Sequence, residues 1–246
     1  MLKTLRVIIV SATVGMLVSA CSTVEKNSNT PEGAFAIAQE FEKGERFEEA
    51  LRRYNDIKNK FPYSSYATKA ELAVADVYYL QESYAEAQVA YQMFKDLHPT
   101  HPQSDYVQFR IGLSYYQQLP STIDRDLTLA NDAILNLSDL IKKYPNSEYV
   151  KEAKEKRTAA IKMLGEKEEY IADFYFKRKV YESALTRYEG LYKNYGGLGF
   201  DAKALARASV CATKLGDDSK AKKLNGLLNE KYPNSPEADA AAKESQ

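Results

Sequence analysis

Tryptophan is absent from this 246-residue chain, and cysteine and histidine occur only twice each. Cys21 closes the amino-terminal leader, so Cys211 is alone in the body of the chain and no intrachain disulfide framework is available. Cys211 lies in an Ala-rich helical run (202–212) and reads as a small core residue rather than a reactive thiol. His98 and His101 stand three apart around Pro99. Without cysteine or convergent carboxylates beside them they make a poor zinc site, and turn chemistry is the better account. An excess of charge is lacking too. The 34 Lys+Arg balance 34 Asp+Glu, which gives no electrostatic case for nucleic acid or a strongly charged partner. The chain carries no nucleophile elbow, phosphate loop or HExxH motif, so no catalytic residue, metal or cofactor is expected. Long apolar runs are missing as well: Val7 to Val18 is too short for a comfortable permanent membrane span.

What the leader does have is a processing pattern. Lys3 and Arg6 form a basic start, and small residues follow the apolar run into Val18-Ser19-Ala20-Cys21. That ending resembles a bacterial lipobox, in which the cysteine sulfur takes a diacylglyceryl group and cleavage leaves Cys21 first. The expectation is a cleaved signal peptide over 1–20 and a lipid anchor on Cys21, sufficient for membrane attachment without a spanning helix. Ser22 stands where an Asp would have pointed to the inner membrane, so the outer membrane's periplasmic face is expected. Residues 21–30 are polar and read as a flexible tether.

The body of the chain repeats one spacing five times: a small residue, an aromatic or leucine four on (lost in the last copy), an aliphatic or Phe seven on, and a helix breaker twelve on. The sets are Ala50, Tyr54, Ile57, Pro62; Ala87, Tyr91, Phe94, Pro99; Ala133, Leu137, Leu140, Pro145; Ala184, Tyr188, Leu191, Gly196; and Ala221, Asn225, Leu228, Pro233. Steps of four and three hold these positions on one helical face, Ala admits a close neighbour, and Pro or Gly ends the helix. This is the second helix of a tetratricopeptide (TPR) pair. The fold predicted is all-α, a TPR superhelix of five helix pairs, an α-solenoid offering an extended binding surface. The first pair is predicted at 31–43 and 47–60, with Thr30 as N-cap and Pro31 in the first turn. Ser64, Ser147 and Ser235 are expected to cap the helices that follow the Pro stops. Successive stops lie 37, 46, 51 and 37 residues apart, so the two middle intervals carry insertions. One falls at Gln118 to Asp126, before a helix starting near Asp126. The other lengthens the stretch from Ser147 to Lys179 into one long helix or two broken near Gly165. The division expected is an N-terminal module over 31–146 (pairs 1–3) and a C-terminal module over 147–246 (pairs 4–5 and tail).

TPR grooves commonly hold peptides with side chains of the first helix of each pair. Repeat register puts Phe35, Gln39, Leu72, Asp76 and Tyr79 on the inner face of the first two pairs, an aromatic-lined groove suited to an extended apolar peptide. The same residues equally suit packing within the solenoid. A carboxylate clamp of Lys and Asn is not present at those places. Arg187 points outward, because Ala184, Tyr188 and Leu191 face inward, and Glu189 or Glu182 is in reach for a weak pair.

Lipobox, five repeats and the run Leu97-His98-Pro99-Thr100-His101-Pro102-Gln103-Ser104-Asp105-Tyr106-Val107 together resemble the BamD family, the TPR lipoprotein subunit of the outer-membrane β-barrel assembly machinery. Asp124-Arg125-Asp126 resembles the family's acidic-Arg-acidic loop, and Tyr144 to Tyr149 its Y-P-N-S-x-Y turn. The loop before Asp124 is shorter than in some relatives. The resemblance implies a non-enzymatic scaffold on the inner leaflet of the outer membrane. It further implies that the C-terminal repeats dock on a POTRA domain of the central barrel subunit, that the N-terminal repeats receive the aromatic-ended signal of unfolded outer-membrane proteins, and that accessory lipoproteins bind elsewhere. An arginine in the family's N-R-x-E-G segment resembles Arg187 in Thr186-Arg187-Tyr188-Glu189-Gly190, which makes Arg187 the expected POTRA contact. Two rival functions are disfavoured. A periplasmic TPR coordinator of cell-wall synthesis or envelope constriction is disfavoured by the lipid anchor and the P-T-H-P run. A helical lytic transglycosylase would need a catalytic domain for which five repeats leave no room.

Overall fold

The computed structural model describes residues 27–244, with side chains described to 240; the leader, Cys21 and most of the expected tether lie outside them. The described residues form eleven helices joined by turns: α1 (Pro31–Lys43), α2 (Phe47–Lys60), α3 (Ser65–Leu80), α4 (Tyr84–Leu97), α5 (Ser104–Gln117), α6 (Thr128–Lys143), α7 (Val150–Lys177), α8 (Tyr181–Asn194), α9 (Asp201–Lys214), α10 (Asp218–Lys231) and α11 (Pro236–Glu244). Each helix packs on the next, and α1 also touches α3, as α5 touches α7. The fold is an all-α solenoid of five pairs followed by α11, which covers α9.

The repeated spacing builds the core. Ala50, Ala87, Ala133 and Ala184 have no exposed surface, and neither do Tyr54, Tyr91, Leu137 and Tyr188 four residues on. Each tyrosine brings a hydroxyl into the interior, where it needs a partner. Tyr54 donates to Glu42 at 2.5 Å, Tyr91 to Asp76 at 2.6 Å and Tyr188 to Asp173 at 2.5 Å. In each case the acceptor sits on the preceding helix, so the bond fixes the register of the pair. Cys211 is buried in the same core, and burial pushes its thiol up to about 12, which keeps it protonated and unreactive.

The stops act through the residue before them. Proline disfavours helical backbone in its predecessor. Phe61, His98, Tyr144 and Tyr232 accordingly leave the helix at φ between −133° and −128° and ψ of 50° to 61°. Starts are less uniform. Thr30 accepts from the Gly33 N–H, Ser64 from Tyr66 and Ser235 from Ala238, as expected of caps. Ser147 accepts more loosely, from the Tyr149 N–H at 3.4 Å, while its own hydroxyl donates to Asp105 at 2.7 Å, and α7 begins at Val150. The helix expected near Asp126 starts at Thr128, and the Asp126 carboxylate accepts from the N–H and hydroxyl of Thr128.

Four of the five pairs turn the same tight corner. The residue five before the anchoring alanine takes positive φ: Glu45 (55°), Glu82 (63°), Lys179 (62°) and Gly216 (77°). The next N–H then reaches back to the carbonyl five residues earlier, as in Arg46 to Phe41 and Val180 to Tyr175. Only the fourth corner has the glycine that this backbone favours.

The stretch from Ser147 resolves as one unbroken 28-residue helix, α7. Gly165 does not break it. A β-carbon there would lie 2.5 Å from Cε2 of Phe200, so the glycine exists to let that ring sit against the helix. At one end α7 buries Ala153 with Phe109, Leu137 and Leu140; at the other it buries Ala172 with Ala184, Tyr188 and Phe200.

Two stability measurements follow. Lys179→Gly relieves left-handed strain and is expected to add up to about 1 kcal/mol in urea unfolding. Gly165→Leu drives a side chain into Phe200 and is expected to remove about 1–3 kcal/mol, although it improves helix propensity.

Candidate functional site

The residues of the two expected surfaces are distributed unevenly. In the expected groove, Phe35 is half-buried, its ring 5.3 Å from that of Tyr54 and 5.6 Å from that of Tyr66. Gln39 is exposed one turn on. Leu72 is not at the surface. It is 6% exposed and packs with Ala75, Ala87 and Tyr91, because α3 turns this position toward α4 and α5. Asp76 and Tyr79 come together on α3 and face α5 rather than Phe35.

Facing α5 brings in residues that repeat register on the first two pairs did not name. Tyr106 donates to Asp76 at 2.6 Å, on the same oxygen that takes Tyr91. Arg110, one turn on, donates from Nε to the Tyr106 hydroxyl at 2.9 Å and lies over the ring of Tyr79 at 4.3 Å. Gln117 reaches the Tyr79 hydroxyl at 3.3 Å, and Tyr84 meets Tyr79 edge-on. Burial raises the Asp76 carboxyl, opposed by hydrogen bonds from Tyr106 and Tyr91 and by the charge of Arg110. Burial and the Asp76 charge push Tyr106 up to about 12. The available sequence signal was the helical period itself, since Tyr106 and Arg110 are four apart on the face that meets α3.

On the other side of α3, an apolar recess of about 510 Å³ opens between α2, α3 and α4, lined by Val74, Tyr78, Val89, Met93 and Leu97. Val89, Met93 and Leu97 are each more than half exposed, one above the other along α4. His98 beside it holds Glu71, with Nε2 at 2.6 Å from the carboxylate, and His101 packs edge-on against Phe94. Desolvation, aided by His98, lowers the His101 pKa. Both rings are thus engaged in the turn.

Arg187 points out from α8 as expected, with its side chain 43% exposed. Its partner differs from expectation. Nη1 donates at 2.7 Å to Glu168 of α7, while Glu189 pairs with Lys220 at 3.4 Å. Glu168 belongs to an acidic row on α7: Glu169 and Asp173 share Lys203 of α9 at 3.1 and 2.8 Å. Burial would raise Asp173, but hydrogen bonds from Lys203 and Tyr188 outweigh it and hold the carboxyl below the usual range. In the 118–127 loop, the Arg125 carbonyl accepts from Lys167 Nζ at 2.7 Å, which ties the Asp124-Arg125-Asp126 segment to α7.

Comparison with known proteins decides what this arrangement belongs to. The model of the family described as "YfiO: Outer membrane lipoprotein" matches residues 27–227, from before α1 into α10. The chain belongs to the BamD (YfiO) family. Relatives named "Outer membrane protein assembly factor BamD" include one from Neisseria meningitidis serogroup A, 27% identical over 93% of this chain and 92% of its own length. Another, from Rickettsia prowazekii, is 28% identical over 90% and 89%. Among solved structures, the "TPR2AB-domain:pHSP90-complex of yeast Sti1" overlays with a TM-score of 0.48 at 15% identity over 89% of this chain and 84% of that one. That overlay says nothing of ligands. The BamD-family match takes in Asp76, Arg110, Glu168 and Arg187 alike.

The Asp173 carboxyl is depressed in the folded state, so its contribution is full above the unfolded value of about 3.9 and disappears as pH falls through the folded value. The stability gap between wild type and Asp173→Asn should be constant from pH 7 to 5 and close below about pH 4 in urea titrations.

Proposed function

We propose that this protein is a non-enzymatic, lipid-anchored scaffold of the outer-membrane protein assembly complex. It joins the POTRA region of the central barrel subunit to unfolded outer-membrane proteins. The observation that carries the reading is the family match over residues 27–227, together with relatives named as assembly factors across nearly their full length. In this reading Cys21 carries the acyl chains and holds the protein on the periplasmic face of the outer membrane. The N-terminal module (31–146) receives substrate along Phe35, Gln39, Asp76 and Tyr79, and the C-terminal module (147–246) holds the POTRA domain through Arg187. Accessory lipoproteins take other parts of the surface.

The geometry of Arg187 gives this docking a physical form. The arginine is exposed and already holds one carboxylate, Glu168, in a surface pair worth no more than about 1 kcal/mol. A POTRA carboxylate presented to the planar fork either shares the guanidinium with Glu168 or displaces it.

The deciding experiment is a detergent pull-down of C-terminally tagged protein from outer membranes, read by mass spectrometry. Near-equal recovery of a POTRA-barrel protein is the expected result. Recovery of cell-wall enzymes without any barrel subunit overturns the proposal. In the same assay Arg187→Asp should lose the barrel subunit while helicity and thermal midpoint stay near wild type. Glu168→Gln frees the guanidinium and should tighten association, by no more than about fivefold.

A further inference from the structure

The recess beside α4 belongs neither to the inner face nor to the Arg187 surface, and one helix of five makes it apolar. On the second helix of each pair, the positions two before and two, six and ten after the anchoring alanine form a row at steps of four. In α2 the row is Glu48, Arg52, Asp56 and Lys60, and in α8 it is Glu182, Thr186, Gly190 and Asn194. α6 and α10 each place a single leucine there, Leu135 and Leu227, among polar residues. α4 has Ala85, Val89, Met93 and Leu97, the last three more than half exposed. Single exposed apolar residues are ordinary, whereas a contiguous row of them beside a recess marks an interaction surface.

The C-terminal half supplies a comparison. A recess of about 490 Å³ lies between α8, α9 and α10, and Lys220 ties its walls together by reaching Glu189 at 3.4 Å. In the recess of about 510 Å³ between α2, α3 and α4, the same two places hold Glu86 and Asn55. Asn55 donates to the Leu51 carbonyl of its own helix, and Glu86 has no partner among the described residues. The N-terminal groove is therefore apolar and unbridged.

Three features select what fills it. The lining residues all lie in helices, so an extended peptide finds no strand edge to join, and the occupant must satisfy its own backbone. From Ala85 to Leu97 the row runs about 18 Å, the length of roughly three helical turns. Unpaired charges of opposite sign mark its two ends. Glu86 stands in the first turn of α4, and Lys58, also without a partner among the described residues, in the last turn of α2. A helix with acids in its first turn and bases in its last, the order that the helix dipole favours, meets Lys58 with its start and Glu86 with its end. A second copy of the chain fits less well. Stable pairs meet through about 20–30 residues a side, and the recess is lined by 11.

We propose that the groove between α2 and α4 is a docking site for one amphipathic helix of a partner protein, lying antiparallel to α4 with an acidic first turn and a basic last turn. The site is separate from the Arg187 face and from the residues assigned to substrate, and it depends on neither.

The test is fluorescence anisotropy on the full-length protein carrying Cys21→Ser, which leaves no acyl chain or detergent to compete for the probe. The probe is a labelled synthetic helix of about fourteen residues, with leucines at alternating steps of four and three, Glu in the first turn and Lys in the last. A second peptide exchanges the Glu and Lys, and a third carries Pro at its centre. The first should bind, the exchanged one about fivefold more weakly, on the scale of two exposed charge pairs, and the Pro peptide about tenfold more weakly or worse. Met93→Glu should weaken binding of the first peptide about tenfold or more, because it puts a charge into the apolar contact. Leu135→Glu, an exposed leucine of the same row on α6, should leave it unchanged. Lys58→Glu combined with Glu86→Lys should reverse the preference between the first two peptides. Equal binding by wild type and Met93→Glu overturns the proposal, as does failure of wild type to bind the first peptide. Undiminished binding of the Pro peptide rules out a helix as the occupant. Equal affinity for the exchanged peptide removes the assigned direction. A dimer in sedimentation of the unliganded protein that Met93→Glu makes monomeric gives the groove to a second copy and likewise overturns the proposal.

Discussion

A tyrosine hydroxyl driven into an apolar interior is the constraint on which this solenoid depends. The anchoring alanine lets the two helices of a pair approach, and the space one turn on takes a full aromatic ring. The ring brings an O–H that must be bonded, and only the partner helix is near enough to supply an acceptor. Glu42, Asp76 and Asp173 do so in the first, second and fourth pairs. The other two pairs show the alternatives. The third places Leu137 there and needs no acceptor, and Gly112 brings the facing helix so near that a β-carbon would lie 2.8 Å from the leucine. The fifth places Asn225, whose Oδ1 is buried without a partner. The last pair is held instead by burial of Leu228 and by α11 closing over Leu205 and Ala206.

Legibility in the sequence tracked how local each cause is. The bounds of α1 and α2, the caps Thr30, Ser64 and Ser235, and the helix ends before each proline depend on neighbours in the chain, and spacing exposes them. The left-handed corners at Glu45, Glu82 and Lys179 were invisible. Residue type there argues against positive φ, and only the packing of the pair imposes it. Gly165 left one helix or two undecided for a related reason. Its lack of a side chain serves a ring 35 positions later, not a kink. Register named Phe35 and Gln39 for an inner face, where the one is half-buried and the other exposed, and Arg187 for an outward position, where its side chain is exposed. It could not see that α3 tilts Leu72 into the core, that α5 completes the surroundings of Asp76, or that Arg187 finds its carboxylate on α7.

The charges carry a second layer of organisation beneath a net charge of zero. Acids on α7 meet cations from α8 and α9, so the C-terminal half is stitched by pairs that each bridge two helices. These pairs are half-exposed and individually weak. Their effect is on orientation: one terminal nitrogen of Arg187 is already held by Glu168. The N-terminal half uses phenols where the C-terminal half uses lysine. Its polar side is therefore aromatic, and its half-buried carboxylate, Asp76, is bonded by phenols rather than directly by a cation.

The unbroken course of α7 has a mechanical consequence. At 1.5 Å per residue its 28 residues form a strut about 42 Å long. Its two ends are embedded in different sets of helices, and the ring of Phe200 is seated against its middle. A strut of this kind resists bending far better than a chain of short helices joined at turns. Load applied to the α8 face is carried along it as rigid rotation rather than absorbed at a joint. The 118–127 loop, hooked to the same strut through Lys167, travels with that rotation.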